Sequence, residues 1–258
     1  MGRLHLHVNA DREFCPIPAR LNAVQVAKFP HAISITGFSR WLAAFIRLGV
    51  AVVVPLILFV SGAQALPETR RFEITRNGEP IGTHVIEVNR SGNEFLVSVV
   101  TDLTVKVLFV TAYRLQIAAS ERWANGRLIA LNSTSNNNGA RHVVSAAARG
   151  SRLEVTVDGK DSIFVDPNVM PNSFWNAEFL RRPIMLDAQD GQVMPVSVRD
   201  VGEEDLTINA SVIRARRYTV ISRYSQDVWY DDQARLVQAQ LVARDGSVIM
   251  YRSSAFCA

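Results

Sequence analysis

From Phe72 onward, apolar and polar residues alternate in runs punctuated by Asn-Gly and Asp-Gly pairs, and few folds accept that pattern. Phe95, Val97, Val99, Thr101, Leu103, Val105 and Val107 fall on one side of an extended run, with Ser98, Asp102, Thr104 and Lys106 on the other. A period of two marks a strand with one buried face. Tyr113, Leu115, Ile117 and Ala119 repeat the pattern, as do Leu153, Val155 and Val157, and later Val237, Ala239, Leu241 and Ala243. The punctuation is Asn77-Gly78, Ser91-Gly92, Asn125-Gly126, Asn138-Gly139, Asp158-Gly159 and Asp245-Gly246. Such pairs supply the positive φ of tight hairpins, so neighbours in sequence become antiparallel neighbours in space. The expectation is an all-β fold, a meander of roughly ten or more strands. Twist curls so wide an antiparallel sheet into a half-barrel, a spiral or a barrel.

One stretch breaks the rhythm. Asp166–Leu186 holds three prolines and no alternation. Asn172 or Ser173 is a candidate cap for one short helix near residues 172–180, through Phe174–Leu180. Its apolar residues Phe174, Trp175, Phe179 and Leu180 share a side. A short amphipathic helix interrupting a curled sheet is expected to plug or cover its inner face. Strands resume over Val193–Asp200 and Leu206–Ser222, and Asp227–Tyr230 pairs with Leu236–Ala243 around Asp231-Asp232-Gln233. The acidic groups Glu203-Glu204-Asp205 and Asp231-Asp232 fall in predicted turns, where neighbouring carboxylates diverge and make poor acid–base pairs.

Ahead of the strands lies an address. Arg40 and Arg47 precede the apolar run Leu48–Val60, and Ala63-Gln64-Ala65 follows it. That is the layout of a cleaved signal peptide, with the cut after Ala65. The run is shorter than the ~20 residues of a membrane span; the alternative is an uncleaved anchor reaching back over residues 41–60. The expected organisation is an N-terminal extension at 1–37, which an overlong reading of the start would explain, a signal peptide at 38–65 and one β-rich domain at 66–258. Six of the 28 basic and two of the 24 acidic residues precede Leu66, so the remainder carries 22 of each. A balanced domain argues against nucleic acid as a partner. Cys15 belongs to the leader, and Cys257 is left as a free thiol or an inter-chain link.

Chemistry-bearing motifs are sparse. The sequence contains neither a G-x-S-x-G elbow nor a Gly-rich phosphate loop. After Ala65 it has two histidines, His84 and His142, and one cysteine, too few for the usual zinc sets. No catalytic residue, metal or cofactor is therefore assigned. The candidate groove is apolar: Phe174, Trp175, Tyr218, Tyr224, Trp229 and Tyr230 as an aromatic lining, with His84 on the wall. Core packing explains the same aromatics equally well.

Phe72-Glu73-Ile74 with Asn77-Gly78 and Ile81-Gly82, then Pro171-Asn172-Ser173-Phe174-Trp175-Asn176, then Trp229-Tyr230-Asp231 with Arg235-Leu236-Val237 and Asp245-Gly246-Ser247 resemble, in this order, an exported bacterial family, domain of unknown function 6134. The resemblance spans about Phe72–Tyr251. It implies a curled sheet similar to periplasmic lipoprotein carriers and brings no activity with it. The expectation is a periplasmic, non-enzymatic envelope protein that holds a lipid or lipoprotein acyl chain in its concave face. The alternative is a structural module that recruits an envelope protein through a sheet edge. A hydrolase built on His84 or His142 ranks last.

Overall fold

The computed structural model describes residues 67–257; the leader reading of residues 1–65 lies outside them. Eight strands run first: β1 (Glu68–Arg76), β2 (Glu79–Ser91), β3 (Glu94–Val107), β4 (Val110–Ala124), β5 (Arg127–Asn137), β6 (Ala140–Arg149), β7 (Arg152–Val157) and β8 (Ile163–Val165). An insertion follows, with β9 (Val169–Pro171), a 3-10 helix (Ala177–Arg181), β10 (Ile184–Leu186) and β11 (Val193–Pro195). Five strands end the chain: β12 (Ser197–Ile208), β13 (Ser211–Ile221), β14 (Ser225–Tyr230), β15 (Leu236–Val242) and β16 (Val248–Cys257).

Thirteen strands form one antiparallel sheet in the order β12-β13-β14-β15-β16-β1-β2-β3-β4-β5-β6-β7-β8. Two meanders are thus sewn together where β16 pairs with β1, from Thr69 opposite Cys257 to Arg76 opposite Ile249. Register shifts at Arg71/Phe72, Ile74/Thr75, Val105/Lys106, Arg122/Trp123, Asp200/Gly202 and Trp229/Tyr230 bend the strands. Bulges of this kind raise local twist and let a wide sheet curl. The sheet does not close, and β8 and β12 are its two edges.

The hairpins follow the expected chemistry. Asn77, Asn125, Asn138 and Asp158 all take positive φ, each followed by a positive-φ glycine. The β3–β4 turn departs from this rule, since Leu108 (φ 48°) and Phe109 (φ 70°) hold the same left-handed backbone. Large apolar residues take up that conformation at a cost of about 1–2 kcal/mol each. A different glycine serves packing: a Cβ on Gly82 would stand 2.2 Å from the Asp102 carbonyl oxygen across β2 and β3.

The insertion covers the apolar face of the sheet. Alternate residues Phe72, Ile86, Val97, Val99, Trp123, Leu131, Val144 and Leu153 form one core with Val169, Met170, Phe174, Trp175, Phe179, Leu180, Met185 and Leu186. Inside it, β9 runs parallel to β10, and β11 pairs antiparallel with β10. The expected plug is therefore present, but its helix differs. It is a single 3-10 stretch at Ala177–Arg181, and Asn176, not Asn172 or Ser173, is the cap, its side chain accepting from the Glu178 N–H. Phe174 has φ 50°, which breaks a right-handed helix at that point. Asn172 is used elsewhere: its amide donates to Asp187 Oδ1 at 2.8 Å and accepts from the Ala188 N–H.

Glu203-Glu204-Asp205 also differs from expectation, lying within β12 and not in a turn. Arg214 on β13 pairs with Asp205 and Glu203, and Arg216 with Asp200 and Glu203. Opposite charges placed across a ladder make a polar pair of strands that the hydrophobic period cannot reveal.

Candidate functional site

Three arginines and a buried acid hold the insertion in place. Glu121 on β4 is 0% exposed. Its Oε2 accepts from the Trp123 indole at 2.8 Å and the Trp175 indole at 3.2 Å. Its Oε1 and the nearby Ser173 hydroxyl are buried without a hydrogen-bond partner. Burial pushes the carboxyl above its usual range, against the lowering by its polar neighbours. Burial favours the neutral acid, whereas the Ser173 hydroxyl and the two indoles, as donors, favour the carboxylate. Around it, Trp123 stacks on Phe179 at 4.2 Å, with Trp175 edge-on to both. Arg182 lies over Trp123 and Phe179, donates to the Val169 carbonyl at 2.9 Å and also bonds the Gly126 carbonyl. Buried Arg70 donates to the Trp175 carbonyl at 2.6 Å while forking onto Glu68. Tyr230 donates its hydroxyl to the Phe174 carbonyl at 2.9 Å. At the far end Arg223 pairs with Asp190, and Ser135 donates to the Gln189 carbonyl.

An open pocket of about 540 Å³ lies where this insertion meets β12 and β13. Ala177, Leu180, Pro183, Val196, Val198 and Ala234 form an apolar wall with the Tyr218 ring. Glu178, Arg181, Arg182 and Asp200 supply its polar groups. Asp200 is committed to Arg216 at 2.7 Å, which holds its carboxyl below the usual range. Arg182 is committed to backbone carbonyls. Arg181 has no ion-pair partner among the described residues.

The aromatic set expected to line one groove is dispersed. Phe174, Trp175 and Tyr230 are core residues. Trp229 belongs to a second cluster with Ile208, Ala215 and Val237; its indole donates to Glu204, and the Arg217 guanidinium lies over its ring. Tyr224 is exposed in the β13–β14 turn; burial, and after it the charge of the Tyr224 phenolate, raises the pKa of the Tyr113 phenol. His84 is buried between Phe72 and Tyr251, with Nδ1 2.8 Å from Thr101 Oγ1, and burial lowers its pKa to about 4. Tyr218 alone of the seven lines the pocket, with its edge towards Tyr230. The reason is spatial: the insertion brings its own aromatics into the space that the expected groove needed.

His142 stands beside a carboxylate, its Nδ1 3.0 Å from Asp158 Oδ2. Both are partly exposed, and Asp158 also accepts from the Val143 N–H. Ser135, the cross-strand partner of His142, has its hydroxyl bonded to the Gln189 carbonyl. The pair ties the start of β6 to the residue after β7, at the open end of their hairpin and outside the pocket. Among the described residues, no group of three or more His, Cys, Asp or Glu side chains could hold a metal ion.

Residues 72–254 match the family described as "Domain of unknown function (DUF6134)". The chain belongs to this family. The DUF6134 match takes in the opening strands, the Pro171–Asn176 segment and the closing hairpin that carried the resemblance in the sequence. No curated protein matches the chain. In three dimensions the DUF6134 chain is similar to a crystal structure of a beta-barrel-like protein of domain of unknown function DUF1849 from Brucella abortus. The TM-score is 0.56 at 8% identity, covering 75% of this chain and 98% of that one. At that identity the likeness speaks for the fold alone.

Glu121, Arg70, Arg182 and the pocket wall had no place in the sequence-based site. For Glu121 a signal existed: continuing the alternation of Ile117 and Ala119 puts an acid on the apolar face.

Proposed function

We propose that this protein is a non-enzymatic component of the cell envelope, exported through Leu48–Ala65, that holds an apolar chain with an anionic end. The observation that carries the reading is the pocket beside Ala177–Arg181, with aliphatic walls and a cation, Arg181, that has no ion-pair partner among the described residues. Its volume of about 540 Å³ falls within the range of small-molecule sites. Apolar walls reward burial of an acyl chain, and a guanidinium at the mouth suits a carboxylate or phosphate. The inner face of the sheet is occupied by the insertion, so the acyl chain sits at the edge of the insertion, between it and β12–β13.

The test is native mass spectrometry and lipid extraction of protein purified from cells. Wild type is expected to carry an amphipathic lipid mass. Val198→Trp, which fills the pocket, is expected to lose it, and Arg181→Gln to retain less of it. A wild type that carries no such mass, or a Val198→Trp protein that carries as much, overturns the reading.

A second reading, recruitment of an envelope partner by strand addition, rests on the twelve-residue edge strand β12. Its acidic residues Glu203, Glu204 and Asp205 weigh against it, because charged edges discourage strand addition.

A further inference from the structure

The β3–β4 hairpin outruns its neighbours. The last residue of β3 paired to β2 is Leu103, opposite Gly82, and the first residue of β4 paired to β5 is Leu115, opposite Asn137. Between them Thr104–Arg114 runs as a two-stranded ribbon whose strands pair with each other, tied to the rest of the sheet at its base where the Asn138 N–H donates to the Arg114 carbonyl at 2.7 Å. At ~3.3 Å per residue its tip lies roughly 16 Å beyond Leu103, the last residue of β3 paired to β2. The tip is apolar: Val107, Leu108, Phe109 and Val110 are exposed, Leu108 at 87% and Phe109 at 100%. Behind them come Lys106, Tyr113 and Arg114, the last leaning back to Asp102 at 3.7 Å. No acidic residue lies between Thr104 and Arg114.

Water gives this arrangement no support. A free two-stranded ribbon is marginal in water. Its turn holds leucine and phenylalanine in a left-handed backbone, where four other hairpins use Asn-Gly or Asp-Gly and the β12–β13 turn uses Asn209-Ala210. Four consecutive apolar side chains on a narrow end offer a point and not a face, so they suit a medium that accepts insertion from any direction. Lys106 directly behind the point suits the headgroup level of a bilayer, and Tyr113 and Arg114, at the base of the ribbon opposite Val105 and Thr104, lie towards its outer margin.

We infer that the Thr104–Arg114 ribbon is a membrane-docking tip: Leu108 and Phe109 enter the hydrocarbon edge of a bilayer while Lys106 and Arg114 meet anionic phospholipid headgroups. This rests on the ribbon alone, and its failure would leave the pocket reading untouched.

The test uses the full chain with Cys15→Ser and Cys257→Ser, and an environment-sensitive fluorophore on Phe109→Cys. Vesicles of phosphatidylethanolamine and phosphatidylglycerol are then added. The label is expected to shift to the blue with a several-fold rise in intensity. The same label on Asn138→Cys, in a turn at the same end of the sheet, is expected to stay in water. A local readout at residue 109 is insensitive to attachment through another part of the chain. With the label moved to Thr111→Cys, the pair Leu108→Asn and Phe109→Gly supplies a favourable turn without the apolar tip. It should weaken the vesicle-induced signal at least about tenfold in lipid concentration. No shift at residue 109, an equal shift at residue 138, or an undiminished signal in the Asn-Gly variant each overturns the inference.

Discussion

Replacing Glu121 with glutamine should stabilise this protein, and only above mildly acidic pH. The carboxyl is buried among Trp123, Trp175 and Ser173, and burial raises its pKa above the ordinary glutamate range. A raised folded pKa means the folded state keeps the proton after the unfolded chain has released it. Below the unfolded pKa both states are protonated, and wild type and Glu121→Gln should be equally stable to within a few tenths of a kcal/mol. As pH rises towards the folded pKa, the unfolded state gains by ionising, and wild type loses about 1.4 kcal/mol per pH unit. Glutamine has no proton to lose, and its carbonyl can still accept from both indoles, so its stability lacks this slope. Urea unfolding followed by tryptophan fluorescence from pH 4 to 8 gives the difference directly. The other titrating groups are common to both proteins and cancel. Glu121→Ala provides the contrast: it strands two buried indole N–H groups and opens a cavity, a loss of at least ~2 kcal/mol at every pH. Parallel pH profiles for wild type and Glu121→Gln would refute the buried, protonated carboxyl.

Gly82→Ala should cost about 1–3 kcal/mol, because its Cβ meets the backbone of Asp102 and Leu103 at 2.2 and 2.6 Å, and backbone cannot rotate away; a melting temperature equal to wild type would contradict this. His84, with its pKa lowered to about 4, contributes stability that is complete above its unfolded value of 6.5 and is lost as pH falls from there towards 4. The full loss is about 3 kcal/mol, and an NMR titration that places His84 near 6.5 would refute its enclosure. Tyr230→Phe removes the hydroxyl that bonds the Phe174 carbonyl and should cost about 1–2 kcal/mol. Measured by urea midpoint, no change would mean the carbonyl finds another donor.

The strands were legible because one face of each is buried, and burial writes itself into the sequence every second residue. The turns were legible wherever asparagine or aspartate met glycine. The Leu108-Phe109 turn had no such mark, since nothing in the residue types asks for a left-handed backbone. The β1–β16 seam was illegible for a different reason: it joins the two ends of the domain, and no local pattern reports a distant neighbour. The helix was placed too early because Asn172 and Ser173 look like caps, whereas tertiary bonds to Asp187 and Ala188 claim Asn172 first. The aromatic groove failed on volume. Composition shows that large rings are present, but the insertion that carries Phe174, Trp175 and Phe179 is itself what fills the space. The family was legible in the order of three short motifs, and the pocket was not, since its wall joins residues of the aperiodic insertion to Val198 on β12 and Tyr218 on β13, a meeting no local pattern reports.

The seam also sets a timetable. Strands β2 to β7 are bonded to sequence neighbours and can assemble as soon as each hairpin exists. β1 can pair with β2 as early, but its other margin must wait for β16, because Arg71 meets Ala255 and Arg76 meets Ile249. Closing so long a loop is the slow entropic step in a domain built this way. Until it happens, β2 carries at most one strand on its outer side, and β15 has a bare margin in what will become the middle of the sheet. A chain delivered from its N-terminus therefore leaves this seam open until the ten residues of β16 arrive. A protein shortened before Val248 would expose two raw edges where the native molecule has none.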